Sequence, residues 1–378
     1  TATLIDTKNF PALSDGIDSY TFSSDEKLIL IAKNSNQIFR HSFTADYYLY
    51  TIESKQLTKL FDFQVQEPTF SPDGKKIAYA KENNLFVYDL ATKQSTPVTT
   101  DGKKNSIING ITDWVYEEEF AFVKAFDWSA DSKKLAYIRF DESEVPEFSM
   151  SIFQKELYPT VETFKYPKAG EKNSAVSLHI YDVNAATVKT VNLGNYNDFY
   201  IARMKWTNDA NVLSAQVLNR HQDNLDLLFI DGNSGAAKVV LNEKDKAYVD
   251  VTDNLTFLKN NSFIWTSEKD GFNHIYWYDK NGKLKNQVTK GKWEVTSYYG
   301  FDEKTNTIFY QSVENGSVNR AIYSINLNGK NKLLLSKNTG TNAATFSPNF
   351  EFYINTFSTA NQPTTYTLNA VKTGKQLQ

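Results

Sequence analysis

A six-residue pattern returns seven times along this chain, and a chain made of copies of one unit buries its apolar faces by stacking those copies on one another. The copies are Phe22–Lys27, Phe70–Lys75, Trp128–Lys133, Trp206–Asn211, Phe257–Ser262, Phe301–Asn306 and Phe346–Glu351. Each opens with an aromatic, passes through a turn of the Ser71-Pro72-Asp73-Gly74 kind, and runs into an apolar strand such as Lys76-Ile77-Ala78-Tyr79-Ala80. Another strand follows, ending on Tyr-Asp or its like, as in Leu85–Asp89, Leu178–Asp182 and Ile275–Asp279. The opening aromatics are 48, 58, 78, 51, 44 and 45 residues apart, the period of a four-stranded propeller blade. The turn residues tolerate the dihedrals a tight turn needs, and the aromatics are expected as core between blades, so these motifs carry packing rather than chemistry.

The expectation is an all-β fold: a β-propeller of four-stranded blades forming a single domain over residues 1–378, with seven recognisable blades plus part of an eighth. The leader, residues 1–13, is expected as one strand of a cut blade. Composition agrees, because aromatics make up 14% of the 378 residues, with 26 Phe and 22 Tyr, and β-strands favour such side chains. The net charge is −3, and the basic residues are nearly all Lys, with five Arg scattered along the chain. That distribution argues against a nucleic-acid surface. No apolar run reaches the roughly 18 residues that span a bilayer. Zero Cys removes disulfides, thiolate nucleophiles and Cys-based zinc sites together.

Two intervals depart from the period. The longest contains an insertion, residues 148–174, with Tyr158-Pro159-Thr160 and Tyr166-Pro167-Lys168-Ala169-Gly170; it reads as an extended arm. The other contains residues 109–122, including Asp113-Trp114-Val115-Tyr116-Glu117-Glu118-Glu119-Phe120. Asp113 is a good helix N-cap and early Glu suits the helix dipole, so an acidic helical insertion starting near Trp114 is expected. Trp114, Tyr116 and Phe120 would bury one side and fix where the carboxylates point. Adjacent carboxylates repel unless a cation relieves them, and a ligand ammonium does so with charge-assisted hydrogen bonds of about 1.5–3 kcal/mol each. Calcium is the rival cation, but no Asp-x-Asp-x-Asp-Gly loop accompanies the triplet. The other uncommon site is Ile38–Tyr48, where the planar fork of Arg40 suits a carbonyl or carboxylate.

These residues carry a resemblance. Ile111–Glu119, Arg40–Ala45, Tyr166–Gly170, Asp270–His274 and Gly291–Val295, in that combination, are similar to the propeller of the dipeptidyl peptidase IV family, prolyl-oligopeptidase-type serine peptidases. The resemblance spans nearly the whole chain. It implies that Glu118 and Glu119 hold the substrate's free α-amino group and that Arg40 reaches the carbonyl between its first two residues. It also implies that Tyr248 takes the place of an aromatic lining the same pocket, although Ala247-Tyr248-Val249-Asp250 departs from the family pattern. The arm matches one that helps family members dimerise.

Family catalysis needs a Ser nucleophile on a Gly-x-Ser-x-Gly elbow with Asp and His in an α/β-hydrolase domain, and no such elbow occurs here. The chain is therefore expected to be the recognition and gating propeller of an enzyme releasing X-Pro or X-Ala dipeptides, inactive alone, with no cofactor and no metal. Its implied partners are peptides with a free N-terminus, its own C-terminal hydrolase domain and a second copy in the full-length protein; nucleic acid is not among them. Bacterial relatives are typically exported, so a periplasmic or cell-surface location is expected. Two readings compete: a stand-alone propeller using Glu117 to Glu119 to bind a protein or cationic ligand, and a propeller glycosidase with a second acid about 5–10 Å from Glu118.

Overall fold

Four of the seven repeat turns are closed by a serine of their own, which explains why the same letters recur there. In the computed structural model, which describes residues 3–378, the Ser71 hydroxyl accepts the Lys76 N–H at 3.0 Å and donates to Asp73 at 2.7 Å. Ser23 does the same with Leu28 and Asp25, Ser129 with Lys134 and Asp131, and Ser347 with Phe352 and Asn349. One hydroxyl thus satisfies an amide that the tight turn leaves without a ladder partner.

The turns join antiparallel strands in seven repeated sheets. Sheet 1 comprises Ser19–Phe22, Leu28–Gln37, Phe43–Thr51 and Gln56–Lys59; sheet 2 comprises Gln66–Phe70, Lys76–Lys81, Asn84–Asp89 and Gln94–Pro97. Sheet 3 is Phe126–Trp128, Lys134–Asp141, Ala175–Asp182 and Thr187–Thr190, with Ile107–Asn109 added against the far end of its second strand. Sheet 4 is Phe199–Trp206, Val212–Asn219, Asn224–Asp231 and Ala237–Lys244. Sheets 5 and 6, four strands each, cover Thr256–Gln287 and Val295–Leu334, and sheet 7 has three strands between Thr341 and Ala370. This is the propeller repeat, and all seven motif aromatics stand at or within a residue of the end of the first strand of their sheet.

The core lies between successive sheets. Along the second strand of sheet 2, Ile77 and Tyr79 pack with Leu30, Ala32 and Tyr47 of sheet 1, while Ala78 joins Phe126, Leu135 and Tyr137 of sheet 3. Alternate side chains of one strand therefore serve two neighbours, as the period of two requires. Trp128 and Trp206 each donate an indole N–H one sheet back, to the carbonyls of Thr69 and Asp127. Phe22 departs from this role: it is exposed, because no preceding sheet of its unit covers sheet 1.

The contacts fall into two compact units, one running to Arg220 and including Leu227–Val239, the other made of His221–Asp226 and Val240–Gln378. The leader corrects an expectation. Residues 3–13 form no strand; they wind into two 3-10 turns, Thr7–Asn9 and Pro11–Leu13. Asp6 caps the first, Pro11 starts the second without the N–H a ladder would need, and Leu13 is buried against Ile29, Ile31 and Tyr50. Thr1 and Ala2, also assigned to that strand, lie outside the described residues. The arm is a two-stranded hairpin, Glu147–Ile152 against Thr160–Lys165. Among the described residues no helix is long and apolar enough to cross a membrane.

Candidate functional site

The acidic insertion forms the single α-helix among the described residues, α1, Trp114–Glu119, preceding the first strand of sheet 3. Its base is pinched shut by the Thr112 amide and hydroxyl, which donate to the carbonyls of Val123 and Phe122. Asp113 caps it: one carboxylate oxygen accepts the Tyr116 N–H at 2.9 Å and the other the Ser174 hydroxyl at 2.5 Å. Burial raises the Asp113 carboxyl above the usual range, against those hydrogen bonds.

A helix of 3.6 residues per turn places Asp113, Tyr116, Glu117 and Phe120 on one stripe, and all four are buried. The Tyr116 ring meets Phe120, Phe122, Phe140 and Tyr200, and its hydroxyl accepts the Ile201 N–H of sheet 4 at 3.0 Å. Glu117, fully buried, accepts the backbone N–H groups of His41 and Ser42 on one oxygen at 2.6 and 2.8 Å, while its other oxygen has no protein partner. Glu118 and Glu119 stand off the stripe. Glu118 is half-buried and accepts Arg40 Nε at 2.7 Å; Glu119 is exposed and makes no ion pair among the described residues.

Arg40 therefore meets the helix. Its loop is braced by the Gln37 side-chain amide, which donates to the carbonyls of Phe39 and Arg40, and by the Ser42 hydroxyl, which accepts the Phe39 N–H. The guanidinium uses Nε for Glu118 and stays largely exposed, leaving the rest of its fork for an acceptor. At the arm's root, Tyr166 lies 4.2 Å from Trp114 ring to ring, and Phe164 packs on Phe39.

Glu67 joins the same surroundings. It sits in a bulge of the first strand of sheet 2 with φ of 52°, and burial raises its carboxyl, opposed by Lys124 and reinforced by Glu117. Tyr248 belongs to the second unit, half exposed in a cleft of about 630 Å³ with Glu243, Asp250 and Glu268. Burial, then Asp250, holds its phenolic proton more tightly than usual. Two further motifs are structural. His274 is buried between Thr289 and the Gly291 carbonyl with its ring edge-on to Trp293; Gly291 has φ of 146°, and a Cβ there would meet the Trp293 indole at 2.1 Å.

Among the described residues no group of three or more His, Asp or Glu side chains is placed to hold a metal. What the fold and site define is a β-propeller domain with a carboxylate-bearing helix braced against an arginine loop. The family model of the dipeptidyl peptidase IV (DPP IV) N-terminal region matches residues 23–364, and the chain belongs to that family. Among relatives, dipeptidyl aminopeptidase B of Saccharomyces cerevisiae is 31% identical over 336 residues, 84% of this chain and 41% of the yeast protein. The probable dipeptidyl peptidase 4 of Aspergillus flavus is 30% identical over 98% of this chain and 51% of its own length. The crystal structure of Porphyromonas gingivalis dipeptidyl peptidase 4 superposes with a TM-score of 0.92 at 42% identity, covering 96% of this chain and 52% of that one. The chain thus spans about half the length, or less, of these relatives.

Proposed function

We propose that this chain is the substrate-recognition propeller of a dipeptidyl peptidase IV-like serine exopeptidase, one that releases X-Pro or X-Ala dipeptides from free peptide N-termini. In this reading the hydrolase domain lies elsewhere in an exported, dimeric parent, and the propeller alone releases no product from a Gly-Pro reporter.

The observation that carries the reading is the Arg40–Glu118 ion pair on a helix whose neighbouring Glu117 grips the arginine loop from inside. Arg40 already satisfies much of the Glu118 charge, so Glu119, exposed beside it, has capacity for an incoming ammonium. Glu118 completes the grip from one side, and the open part of the Arg40 fork donates to the carbonyl that follows. A fixed anionic end wall measures two residues from the amine by leaving no room for a longer extension.

The test is the full-length enzyme with Glu118→Gln or Glu119→Gln, assayed on a dipeptidyl reporter. Each is expected to lower kcat/KM by a hundredfold or more, corresponding to about 3 kcal/mol, and Arg40→Ala to do less harm than either. Wild-type kcat/KM in both glutamine variants refutes the clamp.

A further inference from the structure

A second carboxylate in the first unit has what the ammonium clamp has, without an arginine. Glu142, just beyond the second strand of sheet 3, is 6% exposed, and its side chain makes no hydrogen bond or ion pair among the described residues. It lines a cavity of about 450 Å³ between the arm and the face of the first unit, whose apolar wall includes Phe39, Ile108, Ile111, Trp114 and Phe164. Glu118, Glu119 and Arg40 are not among its lining residues.

Among the described residues no cation forms an ion pair with Glu142. Asp113, on the same wall, is saturated by the Tyr116 amide and the Ser174 hydroxyl. Lys165, on the arm and lining the same cavity, offsets part of the Glu142 charge without pairing with it: its ammonium donates to the carbonyls of Val145 and Ser143 and lies 3.7 Å from Glu147. The remaining charged groups on the lining, Lys103, Lys104, Glu82 and Glu162, are exposed side chains and balance one another in sign. A buried carboxylate left this way is strongly disfavoured unless a cation or a proton reaches it. Burial above all, then Asp113, with Lys165 opposing and Asp141 adding, pushes its carboxyl up to about 7.

We propose that this cavity is a binding site for a small primary amine on an apolar body, with the ammonium on Glu142 and the body against Phe39, Trp114 and Phe164. The volume lies within the range of small-molecule sites, and ring faces around a desolvated ammonium add a favourable electrostatic contribution. An inorganic cation fits less well, because one carboxylate among rings supplies too few oxygens for calcium or magnesium.

The probe is phenethylamine, titrated calorimetrically into the 378-residue chain. One saturable site is expected at pH 8, with no saturation by 2-phenylethanol or 3-phenylpropionate, which keep the ring and change the charge. The amine stays protonated from pH 6 to 8, so affinity is expected to fall about tenfold from pH 8 to pH 6 as Glu142 takes up its proton. Glu142→Gln abolishes binding and Glu119→Gln leaves it intact, which separates this site from the clamp. Thr163→Trp, which fills the cavity from the arm strand, blocks binding as well and serves if the Gln variant does not fold. No binding by the wild-type chain, equal binding of 2-phenylethanol, or binding lost with Glu119→Gln and retained with Glu142→Gln overturns the proposal.

Discussion

Replacing Glu117 by Ala leaves the His41 and Ser42 amides facing a buried void in place of a carboxylate oxygen. Hydrogen bonds to a charged acceptor contribute about 1.5–3 kcal/mol, and a buried orphan amide adds its own desolvation. A loss of about 3 kcal/mol is expected in chemical denaturation, with faster hydrogen exchange at His41 and Ser42; Glu117→Gln, which keeps an acceptor oxygen, recovers part of both. Unchanged exchange at those two amides contradicts the brace. Glu142 gives the pH-dependent counterpart. Its folded carboxyl, raised to about 7 from an ordinary 4.5, holds its proton harder than the unfolded chain does. Its contribution is therefore fully present below 4.5 and is lost as pH rises through 7. Glu142→Gln is expected to match the wild type near pH 4.5 and to be more stable at pH 8, by at most about 3 kcal/mol; equal melting temperatures at pH 8 count against it. Neither residue declares itself by its neighbours in sequence. Glu117 reads as one of three like charges, although Asp113, Tyr116 and Phe120 at helical spacing already mark its face as the inner one. Glu142 sits in Asp141-Glu142-Ser143-Glu144, which looks like a solvated loop until an arm folds over it.

At the scale of elements, turns were the most legible feature and ends the least. A Ser followed two residues later by Asp closes a turn through local bonds alone, so sequence reveals it without knowledge of the rest. Ser129→Ala removes the acceptor of the buried Lys134 amide, and Ser347→Ala removes the acceptor of an exposed one. Thermal unfolding is expected to show a loss of about 1–2 kcal/mol at Ser129 and less at Ser347, where water replaces the hydroxyl; equal losses argue against burial as the deciding factor. The leader illustrates the opposite case. Nothing between residues 3 and 13 spells a strand or forbids one, and the outcome rests on Leu13 finding a place beneath sheet 1. The helix was legible because a cap and an apolar stripe agree within eight residues; of the three glutamates only Glu117 falls in the first turn, and Glu118 and Glu119 close the helix, where the dipole opposes them.

For the molecule as a whole, the repeat period revealed the propeller and its interruptions located the arm and helix, whereas the pairing of Arg40 with Glu118 joins residues 78 apart and no local pattern announces it. The arm carries Phe153, Leu157 and Tyr158 at its tip, all strongly exposed. An apolar tip on a projecting hairpin fits a contact between copies, so if the parent is dimeric as proposed, the full-length protein with residues 153–159 exchanged for a Gly-Ser turn is expected to sediment as a monomer with its melting temperature unchanged. Dimeric sedimentation removes the arm from assembly. The helix, by contrast, has little left to do when a ligand arrives. It is capped at Asp113, tied to sheet 4 through the Tyr116 hydroxyl, to the sheet 1 loop through Glu117 and to the arm's root through Trp114. With its disorder already spent in folding, the capture proposed for this helix is expected to be a single bimolecular event, its observed rate in stopped-flow mixing rising linearly with peptide concentration; a slower phase that saturates would count against a prebuilt helix.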